Sequence, residues 1–159
     1  MKPIPQQPPS AGLSITNAPG LLSALQSAHR QIEASFVAMD DVASAAAPDH
    51  ERVGLARLRV AQANLARRRI VTKLLSHLTT LVTVDARDAL REHLRRDEDH
   101  SQKISALIRE WTPGAVLGDW DGFRAASRAI RSGIQQIIAT EKTLLYPLLQ
   151  HRDAKTKSA

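Results

Sequence analysis

Along most of the chain the apolar residues recur at alternating steps of three and four, the spacing that lines one face of an α-helix. The first such stripe reads Leu22, Leu25, His29, Ile32, Phe36, Met39 and Ala43, with a histidine in its middle. Asn17 is placed to cap this helix, and Pro19 suits its first turn. Pro48 predicts its end, because proline disfavours helix in the residue ahead of it. A second helix is predicted from a cap at Asp49 through "RLRVAQANLARRRIVTKLLSHL" to the β-branched run "TTLVTV". Its apolar positions make no single clean stripe. The third, with Asp85 as cap, carries Leu90, His93, Asp97, His100, Ile104, Leu107 and Trp111 before "TPG" stops it. Asp119 caps a fourth, whose stripe is Trp120, Phe123, Ser127, Ile130, Ile134, Ile137, Glu141, Leu144 and Leu148. Pro147 is expected to bend or fray its last turn.

Helices of roughly 27 to 30 residues, each about 40 to 45 Å long and joined by short connections, force antiparallel neighbours. The predicted fold is therefore all-α, an up-down-up-down four-helix bundle over residues 19–150. A disordered, proline-rich leader is expected at 1–18 and a flexible tail at 151–159. Aromatic residues make up only 3%, and the abundance of Ala, Leu and Arg favours helices over sheets. With no cysteine, the chain is expected to lack disulfides, thiolate metal sites and cysteine nucleophiles. No apolar run approaches the roughly 18 residues that cross a bilayer, and the N-terminus lacks a signal-peptide core, so a soluble, cytoplasmic protein without a membrane partner is expected. The net charge of +6 is spread along the chain, with "ARRR" at 66–69 the densest cluster.

Polar residues interrupt three of the stripes at one level. His29 is about ten residues into the first helix, His93 about eight into the third, and Glu141 about eight before the end of the antiparallel fourth, so all three share one height. The second helix brings Arg67, Arg68 and Arg69 to that level, with Asn64 a turn away. Periodicity leaves open which of the three arginines turns inward; Arg68 is the expected member of the layer, with His29, His93, Asp97 and Glu141. Two chemistries fit such a layer. One is a hydrogen-bonded network in which arginine pairs with carboxylates and the carboxylates orient histidines. The other is a metal site with ligands drawn from His29, His93, His100 and Glu141, joined by Asp97, as bundles build from facing helices. An inward arginine weighs against the second, because it competes with a cation for the carboxylates.

Three segments carry a family resemblance spanning about residues 20–149. "AHRQIEASF" is similar to the first ligand region of hemerythrin-like (HHE cation-binding) domains, "EDHSQKISALIREW" resembles their third helix, and "ATEKTLLYPLL" resembles their closing motif. The resemblance puts His29 and Glu141 on ligand positions and His100 on the third-helix ligand, although His93 fits better by height. It implies a four-helix fold and non-haem iron, two ions held by histidines from every helix with bridging carboxylates. Here the family's His-x-x-x-Glu pair falls on Leu81 and Asp85, and the histidine four residues ahead of Glu141 is Ile137. The implied site is thus degenerate, and what it leaves is at most a mononuclear set of His29, one third-helix histidine and Glu141.

"HSQK" at 100–103 offers a histidine with a lysine three residues on, as in a histidine phosphotransfer module, but the bulky Ile104 follows. Arg124, Arg128 and Arg131 form a stripe that could follow a phosphate backbone, yet no aromatic residues interleave for base stacking, so nucleic acid is a weak expectation. Trp111 and Trp120 are expected to cap the core, and His50, His77 and His151 to lie near helix ends. The expected function is a non-enzymatic binding, sensing or protein-interaction module, without cofactor, recognising an unidentified protein partner or a further copy of itself. The alternative is an iron protein with a reduced ligand set, handling oxygen or storing iron.

Overall fold

The computed structural model describes residues 18–78 and 81–156, so the predicted leader and the Asn17 cap lie outside the described residues. Every regular element among the described residues is a helix: α1 (Ala18–Ala43), α2 (His50–Leu78), α3 (Val84–Glu110), α4 (Pro113–Gly118) and α5 (Trp120–Thr156). Side-chain caps set several of the starts. The Asp49 carboxylate accepts from the Arg52 amide at 3.0 Å, and Asp119 from the Gly122 amide at 2.8 Å. The cap of α3 is Thr83, not Asp85: its extended backbone lets its hydroxyl accept from the Ala86 amide at 3.3 Å. Asp85 lies within the first turn, where its charge favours the positive end of the helix dipole.

Two further departures follow from turn chemistry. "TPG" stops α3 as expected, but Thr112 then caps the Ala115 amide and Pro113 opens a new turn, producing the short α4. The last long helix has 37 residues and continues through Pro147 to Thr156, taking in 151–156, which were expected in the flexible tail. Pro147 is exposed, as is Thr143, whose carbonyl it deprives of a partner, so water can satisfy that group and the helix continues.

Helix α1 packs against α2 and α5, α3 packs against α5 and more sparsely α2, and α4 rests on α5. Three apolar clusters run along this assembly. At one end Leu25 meets Leu74, Leu75, Leu90 and Leu145, so the start of α1 and α3 lies beside the end of α2 and α5. In the middle Ile32 and Phe36 pack on Ile134 and Ile138. At the far end Val42, Val53, Val116 and Phe123 gather with Trp111 and Trp120 packed against them. The Trp120 indole donates to the Ala45 carbonyl at 3.1 Å, fixing the α1–α2 connection to α5. On α5 the deepest residues past Glu141 are Leu145 and Leu149 rather than the predicted Leu144 and Leu148, which are half-buried. Steps of four from Glu141 stay on the buried face, and the predicted step of three drifts off it. None of the described helices is long and apolar enough to cross a membrane.

Candidate functional site

Between the first two clusters lies a layer of polar side chains. Glu141 on α5 is 0% exposed, Arg67 on α2 1%, His29 on α1 1%, His93 on α3 2% and Asp97 on α3 5%. Such burial is rare for charged groups unless each is paired. Here each is. Glu141 Oε2 accepts from His29 Nε2 at 2.7 Å, and Oε1 accepts from His93 Nε2 at 3.0 Å and from Arg67 Nη1. The other guanidinium nitrogen of Arg67, Nη2, donates to Asp97 Oδ1, and Arg67 Nε donates to Asn64 Oδ1 at 3.2 Å. Asp97 Oδ2 in turn accepts from Arg68 Nε at 3.2 Å.

The hydrogen bonds assign the tautomers. With Glu141 ionised, His29 and His93 each satisfy it through an Nε2–H, which leaves His29 Nδ1 to accept from the Tyr146 hydroxyl at 2.7 Å. A proton-carrying chain therefore runs from Tyr146 through His29 to Glu141. Burial by itself pushes the Glu141 carboxyl up. The hydrogen bonds from His29 and His93 and the charge of Arg67 outweigh that and hold it at about 2, below its ordinary 4.5. Arg67 and Arg68 thus face the buried Glu141 and Asp97, with Arg68 reaching Glu98 as well.

Of the residues singled out from sequence, His29, His93, Asp97 and Glu141 meet in this layer. Arg68 does not occupy its centre; Arg67 does. Arg68 sits at the rim, 27% exposed, spanning Asp97, Glu98 at 2.6 Å and Ser101 at 2.8 Å, and Arg69 is exposed. The signal for Arg67 was present in the second half of α2. Counting back from Leu78 by steps of three and four gives Leu74, Val71 and then Arg67, all buried. His100 lies outside the layer, a turn further along α3. Its ring rests on Gly133, where an added Cβ would come within 2.0 Å of Cε1. Its Nε2 is shielded from solvent and has no hydrogen-bond partner among the described residues, and burial lowers its pKa. That placement gives no support to phosphotransfer, which needs an exposed imidazole. Leu81, at the position the resemblance assigns to a histidine, is 58% exposed, and Ile137 is buried.

The donor set does not fit a metal ion as arranged. Both oxygens of Glu141 are taken by N–H donors, and the Arg67 guanidinium lies between the two carboxylates a cation would have to bridge. Among the described residues no group of three or more His, Asp or Glu side chains is disposed to hold one. Elsewhere the arginine stripe on α5 is largely engaged within the chain: Arg131 pairs with Asp40, and Arg124 with Asp121. Compared with known proteins, the chain matches no family model, no curated protein and no solved structure.

The His100–Gly133 contact makes a prediction whose sign depends on context. Gly133→Ala gains about 1 kcal/mol of helix propensity but drives a methyl group into the imidazole, an overpacking that costs about 1–3 kcal/mol. The single variant is expected to be destabilised, and the same substitution in a His100→Ala background to be stabilised by about 1 kcal/mol. Urea unfolding of the four proteins of that cycle measures both.

Proposed function

We propose that the protein is an up-down-up-down four-helix bundle of hemerythrin-like type in which ion pairs stand where a metal layer would be. In this reading it is a non-enzymatic binding, sensing or interaction module. The bundle arrangement is supported by the two end clusters, each of which joins the start of one long helix to the end of the next. The observation that carries the reading of the site is Arg67. Its fixed positive charge is buried between Glu141 and Asp97, so the protein supplies from its own chain the cation that the two carboxylates require. The histidines then serve as hydrogen-bond donors to Glu141 rather than as ligands.

The second reading, an iron protein with a reduced ligand set, draws on the convergence of His29 and His93 on one carboxylate. It requires Arg67 to withdraw from Glu141. Metal content of protein purified without chelator from iron-supplemented cells separates the two. The proposed module is expected to hold transition metal far below one equivalent and to take up none on anaerobic addition of ferrous iron. His29→Ala is then expected to cost about 1–3 kcal/mol, the penalty for leaving a buried partner unsatisfied, with no change in metal content. Near-stoichiometric iron that disappears in His29→Ala would reverse the assignment.

A further inference from the structure

A cleft of about 80 Å³ opens toward the far end of the helices from the polar layer, among α1, α2, α3 and α5. Two arginines on α2 frame it. Arg68 bridges to Asp97, Glu98 and Ser101, and Arg57 donates to the Ile108 and Trp111 carbonyls at 3.3 and 2.8 Å. These bridges stand about 16 Å apart along α2. They hold α2 and α3 together at two points and leave the span between them unzipped. Within that span the facing side chains are too small to close it: Ala61 on α2, Ala126 and Ser127 on α5. The remaining wall is apolar, and its Ile104, Leu107 and Ile130 are only partly buried although they point into the fold.

The mouth is positive. Four arginines line the cleft against the single acid Asp40. Asp40 is taken by Arg131, and Arg124 is paired with Asp121. Arg57 donates to two neutral carbonyls and lies over the Phe123 ring, so no acid among the described residues neutralises it, and the exposed Arg128 makes no ion pair among the described residues. An apolar slot with unneutralised guanidinium groups at its rim matches a small molecule with an apolar body and one anionic end. A single water needs about 10–15 Å³ of such space, so the slot takes a chain of about five to eight carbons. From the cleft's volume, its small-residue walls and the arginines at its mouth, we infer a binding site for short amphiphilic carboxylates, with the alkyl part against Ile104, Leu107 and Ile130 and the carboxylate on Arg57 and Arg128. This gives the binding module a ligand class and rests on that reading. Metal content and His29→Ala test the polar layer alone, so the two can fail separately.

Trp111 lines the cleft and reports occupancy through its fluorescence. Titration of the full chain with hexanoate is expected to give saturable one-to-one binding, and 1-hexanol, equal in length but uncharged, to bind about tenfold more weakly. Ala126→Leu, which fills the slot, is expected to weaken hexanoate by more than tenfold. Ala61→Phe, at the exposed rim where folding is least disturbed, is a second blocking variant with the same expectation. Arg128→Gln is expected to bring hexanoate down toward hexanol while leaving hexanol unchanged. Absence of saturable binding, equal affinity for acid and alcohol, or undiminished binding by a folded Ala61→Phe protein would each overturn the inference.

Discussion

Replacing Arg67 by methionine is expected to destabilise the fold by about 3–5 kcal/mol at pH 7, the largest effect of any single substitution in the polar layer. Methionine keeps the volume and the helix propensity, so the loss is electrostatic. It leaves Glu141 with only its two histidine donors and Asp97 with only Arg68 at the rim, both carboxylates buried and with no cation between them. The dependence on pH separates this from a packing defect. In the native protein the Glu141 carboxyl is held at about 2, below its ordinary 4.5. A depressed carboxyl contributes stability that is fully present above the unfolded value and is lost as pH falls through the folded one. The native protein is therefore expected to weaken between about pH 5 and pH 2, by an amount on the order of 3 kcal/mol from this group. In Arg67→Met, burial is no longer opposed by the guanidinium, the carboxyl moves upward, and protonation relieves the stranded charge. The gap between variant and native protein should thus narrow on acidification from pH 7 to pH 4. Urea unfolding at both values measures it. An unchanged gap would mean that Arg67 acts through its bulk.

Phe123→Ala is the second large effect, expected at about 3–5 kcal/mol. The Phe123 ring is 3% exposed and stacks on Trp120 at 5.5 Å between centroids, while Trp111 meets it edge-on at 5.8 Å. Arg57 lies over the same ring at 5.9 Å. Truncation leaves a cavity that two large indoles cannot collapse to fill. Thermal or urea unfolding gives the size of the loss, and a red shift of tryptophan emission would locate it. Phe123 and Glu141 are separated by about 27 Å of helix, so the losses from Phe123→Ala and Arg67→Met are expected to add to within about 0.5 kcal/mol. Marked non-additivity would mean that the two ends unfold as one coupled unit through the central cluster.

The all-helical architecture was legible because helix periodicity is a local signal. Stripes on α1, α3 and α5 placed His29, His93, Asp97 and Glu141 on inward faces, and counting along helices of similar length put three of them at one height. The caps at Asp49 and Asp119 could be read for the same reason, since a cap involves only residues three or four apart. Where two caps competed within a few residues, as at Thr83 and Asp85, composition did not decide between them. Backbone conformation did, by aiming the threonine hydroxyl at the Ala86 amide.

The sequence by itself determined that helices would form, where most of them begin, and that charged groups would meet inside them. Only the tertiary structure decided which arginine among three consecutive ones enters the layer. Adjacent residues on a helix point about 100° apart, so a single residue separates a group at the centre of the network from one at its rim. It also decided that the carboxylates face a guanidinium rather than a vacant space, because that depends on how closely α2 approaches α3 and α5. The cleft lined by α1, α2, α3 and α5 has the same origin. Small residues such as Ala61 and Ala126 permit either close packing or a gap, and the tertiary packing leaves a gap there.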